Sequence, residues 1–346
     1  PCPHARSCGG CQLQHASDGF VAAWKRDVVG RALEAQGLTP EVTGPSVSPA
    51  GSRRRAAFSA RRTKKGALAG FHQKGSDVIV SIPACHVVRP HLAAALPMVE
   101  ALAQAGASRK GALSVLVTES DAGLDVTVTG GTRPDPVALA ALAQDHDLAR
   151  LIWSGEGLER RPPAQRFGRA TVVPPPGAFL QATVEGEAAL TARVRDALAD
   201  TRAVADLFAG CGTFALPLAE TAAVHAVEAD PAMLAALDRG WRHATGLRAV
   251  TTEARDLFRN PLLPDELSRF DGVVIDPPRA GAAAQVAKIA AARVPRVAHV
   301  SCNPVTFARD CATLVAAGYR LGAVHVVDQF RWSTHVEVVA ALQLRD

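Results

Sequence analysis

The chain has 346 residues, 48% of them hydrophobic and 21% charged, enough for more than one packed core and ordinary for a globular protein. No apolar run reaches the roughly 18 residues of a membrane span, which argues against a membrane helix. Lys and Arg number 38 against 33 Asp and Glu, and the seven cysteines are an odd count. That argues against a disulfide scaffold and for a reducing, cytoplasmic setting. The first residues, PCPHARSCGGC, fit neither a signal nor a transit peptide, and a start at Pro allows for residues upstream.

In chain order, a cysteine-rich segment comes first, with Cys2, Cys8 and Cys11 spaced C-x5-C-x2-C. FVAAWKRDVVGRALEAQG (20–37) has helical spacing and a Gly stop. Residues 53–82 read as short β runs, and 53–74 carry eight Lys or Arg with no Asp or Glu. A basic patch of that kind favours a polyanion such as RNA over a merely solvated hairpin. IPACHVV supplies Cys85, residues 112–131 form a hairpin signal around Asp and Gly, and ARLIWSG (149–155) reads as a strand. A triple proline within 169–183 reads as a rigid boundary, so the predicted domains are 1–175 (α+β) and 176–346.

Beyond it strands alternate with helices of about a dozen residues, from EGEAALTARVRDALA onward, and the chain ends in an antiparallel pair, LGAVHVVDQF and THVEVVAALQL. This implies a doubly wound, Rossmann-like parallel sheet, an α/β fold shared by class I methyltransferases and dehydrogenases.

Four stretches carry chemistry. DLFAGCGTF (206–214) joins a strand to a helix through Gly210 and Gly212, lacks the third glycine of a pyrophosphate cradle, and has an Asp suited to an ammonium group. Glu228, ending the next strand, suits ribose hydroxyls. VVIDPPRAG sets Asp276 at a strand tip before two prolines that end the sheet. VSCNPVTFARD (300–310) presents Cys302 at another strand tip, and Glu337 enters the last strand in HVEVVAAL, where burial raises a carboxyl's pKa and makes it a usable base. A strand-tip thiol and a strand carboxylate taken singly are more often packing and surface residues. Four thiolates at Cys2, Cys8, Cys11 and Cys85 suit tetrahedral zinc or a [4Fe–4S] cluster. Cys211 and Cys311 read as packing residues, and His335 receives no role.

Taken together these residues resemble the RNA (uracil-5-)-methyltransferases, in particular the iron–sulfur type that modifies 23S ribosomal RNA. The resemblance spans the chain, and SCNPVTFARD and CGGCQLQH are its most specific stretches. It implies a class I S-adenosylmethionine-dependent domain preceded by a smaller α+β domain that bears a cysteine-bound cluster. It implies Cys302 as nucleophile at uracil C6 and Glu337 as the base that takes the C5 proton. It also implies that Gln181, Phe208, Thr213, Glu228 and Asp276 bind S-adenosylmethionine, with Asp276 also at the uracil and Asp256 at the adenine. Cys2, Cys8, Cys11 and Cys85 then hold a [4Fe–4S] cluster rather than zinc. The expected partner is RNA, ribosomal before transfer, with the protein a monomer off the membrane. Thr183, Thr213 and Arg331 depart from the family's Asn, Asn and Pro. The alternatives are methylation of the T-loop uridine of transfer RNA, a cytosine-5 enzyme, and a non-catalytic iron–sulfur RNA-binding protein. Arg279, where RNA cytosine-5 enzymes carry a cysteine, argues against the second.

Overall fold

The computed structural model describes residues 2–345. Ser17 caps α1 (Asp18–Glu34), its hydroxyl accepting the Phe20 N–H at 3.2 Å, and β1 (Val42–Val47) follows. The chain then builds one body from β2 (Arg55–Arg62), β3 (Ala67–His72), β4 (Ile79–Val80), α2 (Pro90–Ala94) and α3 (Leu96–Gly106). The predicted hairpin is present as β5 (Leu113–Ser120) and β6 (Gly123–Thr129). After α4 (Pro136–Asp145) come β7 (Arg150–Trp153) and β8 (Glu156–Glu159). These strands form one sheet in the order β4-β3-β2-β5-β6-β7-β8. Phe58, Val99, Leu102, Val115 and Trp153 fill its core, consistent with the inward alternation of β2, β5 and β6.

A ribbon of β9 (Gln165–Phe167) and β10 (Ala170–Val172) runs through the prolines to α5 (Val184–Ala197). The alternating half follows: β11 (Ala203–Leu207), α6 (Ala215–Leu218), β12 (Ala223–Glu228), α7 (Pro231–His243) and β13 (Val250–Ala254). Next are α8 (Pro264–Leu267), β14 (Gly272–Ile275), α9 (Ala283–Ala292), β15 (Arg296–Ser301) and α10 (Pro304–Ala316), then β16 (Tyr319–Asp328) and β17 (Glu337–Leu344). Their sheet runs β1-β16-β17-β15-β14-β11-β12-β13, parallel except for β17. Leu190, Val194, Leu216 and Leu237 pack one face, and Val29, Leu33, Ile289 and Phe307 pack the other.

Three features differ from the sequence reading. TFALPLAETA (213–222) reads as one of the alternating helices but is helical only over α6, and Pro217 lacks the N–H that would bond the Thr213 carbonyl and start the helix earlier. The closing pair is antiparallel as expected, but β17 inserts between β15 and β16. And β1, from the N-terminal part of the chain, pairs with β16, so α1 and β1 belong to the C-terminal sheet rather than to the 53–160 body.

Two buried ion pairs tie these parts together. Arg54 reaches Glu187 at 2.6 Å and donates to the Gln181 carbonyl at 3.2 Å, joining β2's entry to α5. Hence one of the eight basic residues of 53–74 is structural, and another, Arg55, donates to the Gly177 carbonyl; Arg62, Lys64, Lys65 and Lys74 remain exposed. Lys25 of α1, fully buried, binds the Asp328 carboxylate and the Phe330 carbonyl. Burial pulls its pKa down, and Asp328 opposes that. Lys25→Ala leaves Asp328 buried without its partner and is expected to cost about 3–5 kcal/mol, whereas the Lys25→Met/Asp328→Leu double variant recovers most of the loss. Urea denaturation measures both, and a loss below about 1 kcal/mol for Lys25→Ala contradicts the assignment.

Candidate active site

The sheet has its switch point between β11 and β14, from which the chain departs to β12 and β13 and to which it returns on the other side. Ligands of open α/β sheets bind off the carboxyl ends of the strands at that point. Asp206, Glu228, Asp276 and Cys302 all stand at strand ends there, and Glu337 begins β17 at the same edge because that strand alone runs the opposite way.

The glycine loop is shaped by its backbone. Phe208, Gly210 and Gly212 have φ of 66°, 54° and 94°, a region that strains residues with a Cβ. At Gly212 a Cβ would stand 2.9 Å from Leu216 and Leu237, so α7 excludes any side chain. At Gly210 a Cβ would meet nothing within 4 Å, which leaves that side of the loop open. The Gly210 N–H donates to the Glu228 carboxylate at 3.0 Å, whose other oxygen accepts the Ala229 N–H at 2.7 Å. Glu228 is thereby aimed at the loop. Thr213 lies half-buried in the turn after it. Asp256, after β13, caps its own turn through the Phe258 and Arg259 N–H groups at 3.0 and 3.3 Å. Half-exposed Phe258 meets the Phe208 ring at 5.4 Å between centroids, a second wall that the sequence signals only as an aromatic two residues past Asp256.

Asp206 is completely buried and, among the described residues, no hydrogen-bond partner faces either carboxylate oxygen at close range. Burial first and the Asp276 charge second push its pKa to about 8, the Ala215 backbone N–H opposing the rise and Glu228 adding to it. Such an orphaned acid at the floor of a crevice calls for a cation or donor from a ligand.

Cys302 sits one residue past β15. Asn303 caps α10 by accepting the Val305 N–H at 3.1 Å, with Pro304 at the first helical position. Its Nδ2 donates to the Arg279 carbonyl at 2.9 Å, fastening the thiol's turn to the Asp-Pro-Pro-Arg loop. Burial raises the thiol's pKa to about 11, and Glu337 and Asp276 add to this while Arg279 opposes it. Asp276 is raised to about 7 by burial, and Glu337 is raised well above the carboxylate range by burial first and Asp276 second. Ser301 pairs with Val338 across β15 and β17, so Cys302 and Glu337 stand side by side at the sheet edge that also carries Asp276. Gln181 joins them, its Nε2 donating to Asp276 at 3.4 Å. Gln329, absent from the sequence reading, donates to the Gln181 Oε1 at 2.6 Å.

Of the departures, Thr183 caps α5 through the Gly186 N–H at 3.0 Å, a task an Asn also performs, and Arg331 reaches Asp18 at 2.6 Å. Cys211 and Cys311 are buried, as expected of packing residues.

Cys2, Cys8, Cys11 and Cys85 line one cavity of about 240 Å3 beside Arg53 and Phe71. The His4, Gly10 and Val87 N–H groups point at the sulfurs of Cys2, Cys8 and Cys85 at 3.4, 3.4 and 3.5 Å. Burial raises the Cys11 thiol to about 11 and raises Cys8, the neighbouring thiols adding to both. Among the described residues no three His, Cys, Asp or Glu side chains converge closely enough to enclose a single ion. Nor, among them, is any helix long and apolar enough to cross a membrane.

The tRNA (uracil-5-)-methyltransferase family model matches residues 244–345. An RNA methyltransferase of Rhizobium meliloti (strain 1021) is 48% identical over 341 residues, 97% of this chain and 82% of the relative. The 23S rRNA (uracil(1939)-C(5))-methyltransferase of Edwardsiella ictaluri (strain 93-146) is 32% identical, covering 99% of this chain and 81% of its own. Among solved structures, the Pyrococcus abyssi tRNA (uracil-54, C5)-methyltransferase in complex with S-adenosyl-L-homocysteine superposes with a TM-score of 0.74 at 25% identity, covering 97% and 86% of the two chains. Likeness that runs along nearly all of the sequence, on top of a crevice pairing a thiol with buried carboxyls, makes this chain a member of the RNA (uracil-5-)-methyltransferase family, an enzyme of that class.

Proposed function

We propose that the protein methylates C5 of a uracil in 23S ribosomal RNA, through a covalent bond between Cys302 and uracil C6. The observation that carries this reading is the convergence of Cys302, Glu337 and Asp276 on one edge of the sheet, where Ser301 pairs with Val338. The ribosomal relative, at 32% identity, supports ribosomal over transfer RNA.

S-adenosylmethionine, when bound, supplies an electrophilic methyl group. The orphaned Asp206, the open face at Gly210 and the Glu228 carboxylate fit such a ligand, which brings a cationic ammonium, ribose hydroxyls and an adenine for the Phe208–Phe258 wall. Gln181, Thr213 and Asp256 complete that pocket. Uracil C5 is a weak nucleophile. The Cys302 thiolate adds to C6 and pushes electrons onto C5, which takes the methyl group. Glu337 then removes the C5 proton, the C6–S bond breaks, and the thiolate is restored. Asp276 holds the uracil edge while its ring is between thiol and base. A thiol with a pKa near 11 must lose its proton in the complex, and the nearby Arg279 and a cationic ligand both favour the thiolate.

The cysteine cavity supports a [4Fe–4S] cluster. Four thiols line one cavity, and three of them receive N–H groups of the kind that stabilise cluster thiolates. The exposed Arg62, Lys64, Lys65 and Lys74 give the RNA a phosphate contact surface.

Methyl transfer from labelled S-adenosylmethionine to ribosomal and transfer RNA transcripts, with the product nucleotide mapped, tests the main reading. Ribosomal 5-methyluridine is expected, Cys302→Ala should fall at least about 1,000-fold, and Glu337→Gln should accumulate protein bonded to RNA. Product on transfer RNA alone moves the substrate to the T-loop; no product on either leaves a binding protein. Protein purified without oxygen should hold about four irons and four sulfides per chain, and stoichiometric zinc contradicts the cluster. Asp206→Asn should weaken S-adenosylmethionine binding at least about tenfold. A carboxyl with a folded pKa raised to about 8 makes the ligand-free fold lose stability as pH rises from about 4 to 8. The Asn variant lacks that loss, so it should melt on the order of 5 °C above wild type at pH 8.5, with the gap closing near pH 4.5 in calorimetry.

A further inference from the structure

Gln329 follows β16 directly and is 2% exposed. Its backbone is clamped from both sides, because Lys25 binds the side chain of Asp328 before it and the carbonyl of Phe330 after it. Val327 pairs with Glu337 across β16 and β17, so a residue two positions further on falls on the Glu337 side of the sheet. Gly186 of α5 makes room, since a Cβ there would stand 2.7 Å from the Gln329 Cβ.

The orientation of the Gln329 amide follows from its partners. Its oxygen accepts the Ala182 N–H at 2.8 Å, and a backbone N–H can only donate, so that end is the oxygen. Its Nε2 donates to the Gln181 Oε1 at 2.6 Å. This turns the Gln181 nitrogen toward Asp276, at 3.4 Å. The other face of the amide lies on the Glu337 side of the sheet, and its influence on that carboxyl counters the rise due to burial. One buried amide thus stands on the Glu337 side of the sheet and is hydrogen-bonded through Gln181 to Asp276.

We infer that Gln329 is a positioning residue for proton abstraction, orienting Glu337 and linking it through Gln181 to the carboxyl that holds the uracil. The inference rests on the reading of Glu337 as base. It places the effect of Gln329 on one step, removal of the C5 proton. Attack by Cys302 and uptake of the methyl group do not require that base.

The test compares wild type, Gln329→Met and Gln329→Glu on the RNA transcript that wild type methylates. Met keeps the volume and removes both donors; Glu keeps the acceptor for Ala182 and the shape, so the conclusion does not hang on one variant folding. Single-turnover formation of the protein–RNA bond should stay within about threefold of wild type, while kcat falls about tenfold to a hundredfold and the methylated adduct accumulates. The acidic limb of the kcat profile should move to higher pH in Gln329→Met, since losing a donor raises a carboxyl's pKa and the base must be ionised. The other titratable groups facing Glu337, Asp276 and Cys302, are unchanged in that variant, so the shift reports on Gln329. Wild-type kcat and pH profile in both variants would overturn the inference, as would a proportional loss of adduct formation and turnover, which marks a general structural role. Failure of wild type to methylate C5 while adduct chemistry is absent would instead remove the underlying reading.

Discussion

Three carboxyls, those of buried Asp206 and Glu337 and half-buried Asp276, stand at one edge of one sheet, and among the described residues no cationic side chain hydrogen-bonds them. Burial raises the pKa of all three acids, and the Asp276 charge adds to the rise in Asp206 and Glu337. The arrangement favours a ligand that brings positive charge, and a sulfonium amino acid meets that requirement. It also holds Glu337, the proposed base, near its uncharged form, which is where the proposed role of the Gln329 amide enters. The same acids oppose formation of the Cys302 thiolate, so the proposed nucleophile and base are adjusted by one set of groups.

What keeps these acids in place is framework chemistry far from the reaction. β17 runs against its neighbours and so delivers Glu337 to an edge where the parallel strands deliver their C-termini. Lys25 from α1 holds the loop between β16 and β17, and the Gln12 and Leu13 N–H groups both donate to the Trp332 carbonyl at 2.9 Å in that same loop. The cysteine segment and the base loop are therefore joined by backbone hydrogen bonds. A centre bound by the four cysteines would stiffen the chain on which the base depends, a structural use that needs no electron transfer.

Features recorded locally were readable in the sequence. Gly210, Gly212, the prolines after Asp276 and the Asn303-Pro304 cap each mark the end of a strand within a few residues, so the strand tips and their chemistry could be placed from the text alone. Features that depend on distant partners were not. The basic run at 53–74 reads as a uniform surface for a polyanion, yet Arg54 is committed to Glu187, 133 positions away. Nothing near Val42–Val47 signals that it will pair with β16, and nothing near Gln329 signals Gln181, 148 positions away.

The account stands or falls on the bond between Cys302 and uracil. The measurement that tests it most directly is mass spectrometry of peptides from protein trapped on 5-fluorouridine RNA in the presence of S-adenosylmethionine, where fluorine cannot leave C5 as a proton does. The account predicts a single modified peptide in which Cys302 carries a methylated fluorouracil nucleotide. Methylated RNA released with no adduct, or an adduct on any other cysteine, would contradict it.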